Sequence, residues 1–370
     1  MKIVWHEGPS AGNPRNSEGS FLRLDDGRIL FAYSRYEGDS SHDHGACNIA
    51  AIYSSDEGET WSEPRVIVTA AQCGIGTNVM SVSAVRQLDG RCGLYFLAKT
   101  YDSSAIQLWR ALSVDGENFE VSRCELGYPD TYTIVVNDSI TRLRDGRLVA
   151  PACVTLLGKL ATCICLVSED DGATFNRTRP CVTLPIYNNV DRGMQEPGII
   201  EHEDGVIRLW ARTRAGYQYE CYSRDGMNTF TPVAPFVSSP CSPLRMRKDP
   251  HTGRLFMAYN PISEAHLGPY AQVRIEDWDM EIADYDPYTA GRCALVVRQS
   301  LDDGRTWRGY TVIENDRDHA ANYPALFFTE DGAMLIGYCY SGKEEKTPLA
   351  ALRIKKIGLG EISEKIPARQ

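Results

Sequence analysis

Short apolar runs separated by polar turns recur along the whole chain, and helical periodicity is weak almost everywhere. Six segments share one layout, in which two strand-like runs flank a turn centred on Gly, from SFLRLDDGRILFAYS to PALFFTEDGAMLIGYCY. Asp-Gly or Thr-Gly between apolar runs predicts a β-hairpin, because Gly accepts the positive φ of a tight turn. The six turn glycines are Gly27, Gly90, Gly146, Gly205, Gly253 and Gly332.

Most of these units continue into a further strand and a Ser-Asp-Gly-aromatic phrase. Good copies are SSDEGETW at 54–61, SEDDGATF at 168–175 and SLDDGRTW at 300–307, with weaker ones at 113–119 and 223–230. The phrase lacks the ligand spacing of an EF-hand calcium loop, so we interpret it as a structural turn. Six units of about 60 residues predict an all-β fold, a six-bladed β-propeller with about four antiparallel strands per blade. Residues 1–370 are expected to form this single domain.

Composition and charge limit the classes of partner and cofactor that we expect. The net charge of −10 argues against nucleic acid as a partner. No apolar run reaches the ~20 residues of a membrane helix, and the polar N-terminus lacks a signal-peptide core, so neither a membrane partner nor export is expected and a cytoplasmic location is predicted. The 12 cysteines contain no C-x-x-C pair, so we expect free thiols and neither a metal nor another cofactor. The sequence carries no signal for oligomeric state.

Polar residues recur where the first strand of each unit begins. In a propeller these positions lie near one mouth of the central channel, so we expect several of them to converge in one pocket. Solvated loop ends would explain about half of them, but less readily a Glu and a Tyr at equivalent positions. The candidates are Ser17, Glu18, Asn78, Asn137, Asp138, Gln195, Glu196, Cys241, Ser242, Asn322 and Tyr323.

With its repeated Ser-x-Asp-x-Gly-x-Thr-Trp phrase, the Asp-box, the chain resembles the sialidase (neuraminidase) superfamily over nearly its whole length. The resemblance implies a Glu opening the fourth blade and an Arg sixteen residues later, which match Glu196 and Arg212, with Arg214 as a near competitor. A second family Arg lies eight residues before a late Asp-box and matches Arg292. A Tyr opening the last blade matches Tyr323.

The resemblance also implies an acid/base Asp on a loop before the first Asp-box. Asp43 lies eleven residues before Ser54, and Asp39 is an alternative. Arg35 resembles a further Arg that the family often carries just upstream. The HDH phrase at 42–44 suggests a metal site, but no third ligand is clustered with it in sequence, so we expect no metal.

The implied function is an exo-acting, sialidase-like glycoside hydrolase that removes a terminal, sialic-acid-type sugar from a glycan or oligosaccharide. A carboxylate nucleophile would be repelled by the substrate carboxylate, so Tyr323 would attack and Glu196 would accept its proton. Asp43 would protonate the leaving oxygen and later activate water. Arginines would clamp the substrate carboxylate through paired hydrogen bonds.

The match fails at one point, because the family's first clamp arginine belongs to an R-I-P phrase that this chain lacks. Arg15 is the nearest substitute, and Glu18 brings negative charge to that mouth. Glu18, Asn137 and Asp138 are further candidates for substrate binding. Two alternatives therefore stay open: a propeller hydrolase or lyase for another terminal sugar, with Asp138, Glu18 or a His as acid/base, and a lectin-like propeller that binds glycans without cleaving them.

Overall fold

A computed structural model of the chain describes residues 1–102, 104–128, 131–156, 160–184, 193–262, 291–316, 318–345 and 347–363. The regular secondary structure of these residues is β-structure, apart from the short helix α1 (Ala70–Cys73) and a 3-10 turn at Leu359–Glu361. Within these ranges no helix is long and apolar enough to span a membrane.

Twenty-six strands follow one another along the described chain. They are β1 (Lys2–Glu7), β2 (Asn16–Arg23), β3 (Ile29–Tyr36), β4 (Cys47–Ser54), β5 (Arg65–Val68), β6 (Asn78–Arg86), β7 (Cys92–Lys99), β8 (Ile106–Ser113), β9 (Glu120–Arg123), β10 (Glu125–Leu126), β11 (Thr133–Ile134), β12 (Thr141–Arg142), β13 (Leu148–Leu156), β14 (Leu160–Ser168), β15 (Thr174–Arg177), β16 (Gln195–Glu201), β17 (Ile207–Arg212), β18 (Tyr217–Ser223), β19 (Ala234–Ser238), β20 (Arg245–Lys248), β21 (Leu255–Tyr259), β22 (Ala294–Ser300), β23 (Arg308–Asn315), β24 (His319–Phe328), β25 (Ala333–Gly342) and β26 (Leu352–Gly358).

Hydrogen bonds join these strands into five sheets in a propeller-like arrangement. Two four-stranded sheets run consecutively, as β16–β19 and β20–β23. A third closes the two ends of the chain on each other, in the order β1-β26-β25-β24. A six-stranded sheet contains β10–β15, and an eight-stranded sheet contains β2–β9. The prediction of an all-β, propeller-like fold is thus confirmed. The described residues form five sheets, not the six predicted, because Cys47 and Asn78 form a parallel pair that links β4 to β6.

The core lies between neighbouring sheets, and β3 illustrates how. Leu30 and Ala32 pack with Val82 of β6, whereas Phe31, between them, packs with Leu335 of β25. Successive side chains of a strand point to opposite faces, so a strand covered by a sheet on each side is apolar throughout. This explains why the strand-like runs of the sequence lack a clear apolar and polar alternation.

The Asp-box phrases form the structural turns that the sequence predicts. In the copy at 300–307, the Ser300 hydroxyl donates to Oδ1 of Asp302 at 2.8 Å, and Gly304 N donates to Ser300 Oγ at 2.8 Å. The Thr306 amide donates to Oδ1 of Asp302 at 2.8 Å. Asp303 then accepts from the backbone N of Glu203 in the preceding sheet at 2.7 Å. The phrase therefore closes its own turn and fastens one sheet to the next.

The innermost strands share an unusual backbone feature at their heads. Five non-glycine residues there have positive φ values of 48° to 58°, a conformation that costs about 1–3 kcal/mol and clusters at functional sites. In four of them the ladder register shifts within the next two residues, which marks a β-bulge. The five residues are Glu18, Ser81, Asp138, Glu196 and Tyr323.

Candidate active site

Tyr323 and Glu196 meet although they belong to different sheets. The Tyr323 hydroxyl donates a hydrogen bond to Oε1 of Glu196 at 3.0 Å. Arg212 Nη1 lies 2.8 Å from the other carboxylate oxygen of Glu196 and donates to the Tyr323 hydroxyl at 3.2 Å. Arg212 ends β17, where it pairs with Gln195 beside Glu196, so the hairpin itself brings this arginine to the carboxylate.

Arg292 completes this group, which we call the tyrosine cluster (Tyr323, Glu196, Arg212 and Arg292). Its guanidinium carbon lies 5.9 Å from the centre of the Tyr323 ring, and Nη2 donates to the carbonyl of Cys241. Burial raises the pKa of Tyr323 above its ordinary value, while the charges of Arg212 and Arg292 oppose that shift. The hydroxyl therefore stays neutral at physiological pH and needs a base to become a nucleophile.

A second group, which we call the Arg15 cluster (Arg15, Glu18 and Asp43), is formed by the start of β2, the residue before it and the loop between β3 and β4. Arg15 Nη2 is 3.2 Å from Oε2 of Glu18, and Nη1 donates to Oδ1 of Asp43 at 2.5 Å. The Arg15 guanidinium also stacks on the Tyr36 ring, 4.5 Å from its centre. One buried cation is thus shared between two carboxylates.

Asp43 is held in its charged form by its neighbours. Burial pulls its pKa upward, but the Arg15 guanidinium, with further help from Lys99 and His42, brings the pKa of Asp43 below its ordinary value. Lys99 also donates to the backbone carbonyl of Asp43. Asp43 in this conformation is therefore ionised, and it has to take up a proton before it can act as an acid.

Glu18 connects the two clusters electrostatically. Glu196 contributes to raising the pKa of Glu18, after burial and in opposition to Arg15. Glu18 in turn contributes to the raised pKa of Tyr323. Glu18 is therefore close enough to interact with Asp43, with Glu196 and with Tyr323.

A family model described as "BNR repeat-like domain" matches residues 27–336. The chain belongs to this family. Among solved structures, the Hadza microbial sialidase Hz136 is 17% identical, with a TM-score of 0.70 over 94% of this chain and 66% of that one. The intramolecular trans-sialidase from Ruminococcus gnavus is 13% identical, with a TM-score of 0.66 over 97% and 98% of the two chains.

A protein of unknown function from Dyadobacter fermentans DSM 18053 is also similar, with 15% identity and a TM-score of 0.68 over 95% of this chain and 98% of that one. No curated protein matches the chain in sequence. At these identities the solved structures show a shared fold, and the chemistry has to be argued from the residues of this chain.

Other residues implied by the sialidase resemblance lie outside the two clusters. Arg35 Nε is 3.7 Å from Oε1 of Glu7, on the outer strand β1. Asp39 and Arg214 are exposed, whereas Asp43 and Arg212 take part in the two clusters. The rings of His42 and His44 stack with centres 5.4 Å apart, and the described residues contain no group of three or more His, Cys, Asp or Glu that could hold a metal.

Asn137 and Asp138 are engaged in the centre of the propeller. Asn137 Nδ2 donates to the carbonyl of Gly19 at 2.8 Å. Oδ1 of Asp138 accepts from Ser20 Oγ at 2.7 Å and from Arg247, while Arg245 Nε lies 3.6 Å from Oδ2. These contacts tie three sheets together across the middle of the molecule.

Two residues of the site escaped the sequence reasoning. Ser81, not Asn78, has the positive φ in its strand, and its hydroxyl donates to Oε1 of Glu18 at 3.1 Å. A constant spacing would have found it, because Glu18, Ser81, Glu196 and Tyr323 all lie nine residues before a turn glycine. The other is Lys99, buried at the end of β7, for which the sequence offers no comparable signal.

Proposed function

We propose that the protein is an exo-acting, sialidase-like glycoside hydrolase that removes a terminal acidic sugar from a glycan. Tyr323 would be the nucleophile, Glu196 its base and Asp43 the acid/base. The observation that carries the proposal is the 3.0 Å hydrogen bond from the Tyr323 hydroxyl to Glu196, within the reach that general-base activation of a nucleophile requires.

The reaction would proceed in two displacements. In the first, the Tyr323 oxygen attacks the anomeric carbon as its proton passes to Glu196, and the departing sugar oxygen takes a proton from Asp43, which has to be protonated before this step. In the second, Asp43 accepts a proton from water, the water oxygen attacks the anomeric carbon, and the Tyr323 oxygen leaves and recovers its proton from Glu196. Two inversions at one carbon give retention of configuration.

Arg212 supports this role for the tyrosine in two ways. Its positive charge lies beside the Tyr323 oxygen and stabilises the negative charge that develops there as the proton leaves. Its ion pair with Glu196 fixes the carboxylate with one oxygen toward the hydroxyl. Arg292, beside the Tyr323 ring, is then the arginine best placed to receive the substrate carboxylate.

A second candidate function is a propeller glycosidase for a different terminal sugar. The Arg15 cluster favours it, because the only arginine near the missing R-I-P position is already paired with two carboxylates. A pocket of this kind holds a substrate carboxylate with fewer free donors than a three-arginine clamp.

One experiment tests the proposal and separates the two candidates. Purified protein is assayed with aryl α-sialosides, aryl glycosides of neutral sugars and uronic-acid oligosaccharides, beside Tyr323→Phe. We expect sialoside hydrolysis that Tyr323→Phe reduces by a factor on the order of 10³ or more. Turnover only of another sugar supports the second candidate, and undiminished turnover in the variant excludes Tyr323 as the nucleophile.

We also infer that the scaffold has six blades. The eight-stranded sheet contains two antiparallel runs, β2–β5 and β6–β9, and among the described residues the single Cys47 and Asn78 pair is the only strand pairing between them. Dividing it there gives two further four-stranded units. A crystal structure tests this count directly.

A further inference from the structure

Arg15 is fully occupied by the protein itself. It is 1% exposed, and its Nε donates to Ser17 Oγ at 3.0 Å, while the two terminal nitrogens hold Asp43 and Glu18. A guanidinium has five N–H donors and no acceptor, so one that is stacked and paired in this way has little left for a ligand. The carboxyl of Glu18 is therefore the group of the Arg15 cluster that stands at a strand head, as Glu196 and Tyr323 do.

Glu18 occupies the same backbone position as Glu196 and Tyr323, two of the three proposed catalytic residues. Its φ of 58° matches the 48° of Glu196 and the 53° of Tyr323, at the head of the first strand of its sheet. Its side chain is buried, with Ser81 Oγ 3.1 Å from Oε1 and Arg15 3.2 Å from Oε2. A hydroxyl can accept as well as donate, so the Ser81 contact fits either protonation state of Glu18.

The charges around Glu18 are already nearly balanced before any ligand arrives. Asp43 has the shorter contact with the shared Arg15 and is also close to Lys99, whereas Glu18 is buried and has no cation of its own. An anionic sugar beside Tyr323 adds a further negative charge. The titratable groups that act on Glu18 or are acted on by it are Arg15, Tyr36, Asp43, Cys47, Lys99, Glu196, Tyr323 and Cys339.

We propose that binding of an acidic sugar is coupled to uptake of a proton by Glu18, which then meets the ligand carboxylate as a neutral hydrogen-bond donor. The coupling follows because two carboxylates close together in a buried site cannot both remain charged without a cation between them. Burial and the neighbouring Asp43 and Glu196 already raise the pKa of Glu18 in the free protein, in opposition to Arg15. Glu18 is thus a specificity-determining residue, and the inference rests on the proposed acidic substrate.

Calorimetry tests the proposal directly. The α-methyl glycoside of N-acetylneuraminic acid is titrated into Tyr323→Phe protein, in which turnover is blocked, at pH 6 to 7 in buffers of different ionisation enthalpy. We expect net uptake approaching about one proton per bound ligand. The C1 carboxamide of the same glycoside, which is neutral, should bind without proton uptake.

Two further variants test which residue takes up the proton. Adding Glu18→Gln supplies a permanently neutral donor and should abolish the uptake while the ligand still binds. Adding Glu201→Gln instead, at a carboxylate that accepts from the backbone N of Arg144 outside both clusters, should leave the uptake in place. Thermal unfolding verifies that each variant is folded. The proton uptake measured on Tyr323→Phe protein can also be interpreted without the additional variants.

The outcomes separate this inference from the proposed function. Binding of the glycoside without proton uptake, or with the same uptake after Glu18→Gln, overturns the role of Glu18. If wild-type protein hydrolyses aryl sialosides in either case, the proposed function stands alone. If neither the glycoside nor its carboxamide binds folded protein and no sialoside is hydrolysed, both proposals fail together.

Discussion

The Tyr323 hydroxyl donates to Oε1 of Glu196 across 3.0 Å, although the two residues lie 127 positions apart in the chain. Both occupy strand heads with positive φ, so the backbone aims the two side chains toward the same pocket. The second oxygen of Glu196 is held by Arg212 at 2.8 Å. The carboxylate is therefore fixed by one partner and free to accept a proton from the other.

Glu196→Gln should lower kcat for an aryl sialoside by about 10²–10⁴-fold, the usual contribution of a general base. KM should change little, because the amide keeps the size of the carboxylate. The matched control is Glu201→Gln in the same strand, whose carboxylate accepts from the backbone N of Arg144 at 2.7 Å. Steady-state kinetics of the three proteins checks this, and an equal loss in both variants would argue against a catalytic role for Glu196.

Arg292→Lys should raise KM for an acidic substrate by about 10- to 100-fold, since a lost charge-assisted hydrogen bond costs roughly 1.5–3 kcal/mol. Lysine keeps the charge but cannot offer the paired N–H groups of a guanidinium. Arg298→Lys, in the strand β22 that follows Arg292, is the control, because Arg298 donates to the Trp307 carbonyl. A KM that responds equally to both substitutions would exclude Arg292 as the carboxylate ligand.

The tyrosine cluster could be anticipated from the sequence because its members lie at fixed distances from regular features. Glu196 and Tyr323 each precede a turn glycine by nine residues, and Arg212 lies at the other end of the same hairpin as Glu196. In a ladder of paired strands such spacings translate directly into positions in space.

The Arg15 cluster could not be predicted in the same way. Arg15 precedes β2, and Asp43 lies in the loop between β3 and β4, where no periodic spacing fixes the backbone. The sequence suggested Arg15 as a substitute clamp, but nothing in it indicated that two carboxylates would occupy the guanidinium. Arg35 shows the same limit, because its side chain points toward Glu7 instead of the acid loop.

Asp138→Asn should destabilise the protein by about 3–5 kcal/mol, the usual cost of leaving a buried charge without its partner. Arg245 is already affected by its surroundings, because burial lowers its pKa to about 10 while Asp138 opposes that shift. Urea unfolding at pH 7 measures the loss. Arg247→Met, added to Asp138→Asn, should recover part of it because one uncompensated cation is then gone.

The same variant tests whether Asp138 binds substrate. If its role is to join the sheets, KM of the folded fraction should stay within about threefold of the wild-type value, a change of less than 1 kcal/mol. A large rise in KM with unchanged stability would instead support the substrate-binding role that the sequence suggested for Asp138 and Asn137.

The Asp-box carboxylates should make the protein sensitive to acid. For Asp302, hydrogen bonds from Thr306 and Ser300 outweigh the effect of burial and lower the pKa from 3.8 to about 2. A carboxyl whose pKa is lower in the folded state contributes stability above its unfolded value, and this is lost as pH falls from about 4 to about 2. The difference in urea midpoint between wild type and Asp302→Asn should therefore be largest at pH 5 to 7 and shrink below pH 4.

Activity measurements distinguish a structural role of Asp302 from a role in the active site. Because Asp302 is bonded to its own turn, Asp302→Asn should lower the urea midpoint and leave kcat and KM of the folded enzyme unchanged. Asp39→Asn, in an exposed loop, serves as the control and should change neither stability nor its pH dependence. If the wild-type and Asp302→Asn midpoints differed by a constant amount from pH 7 to pH 2, the loss would come from packing, not from the charge of Asp302.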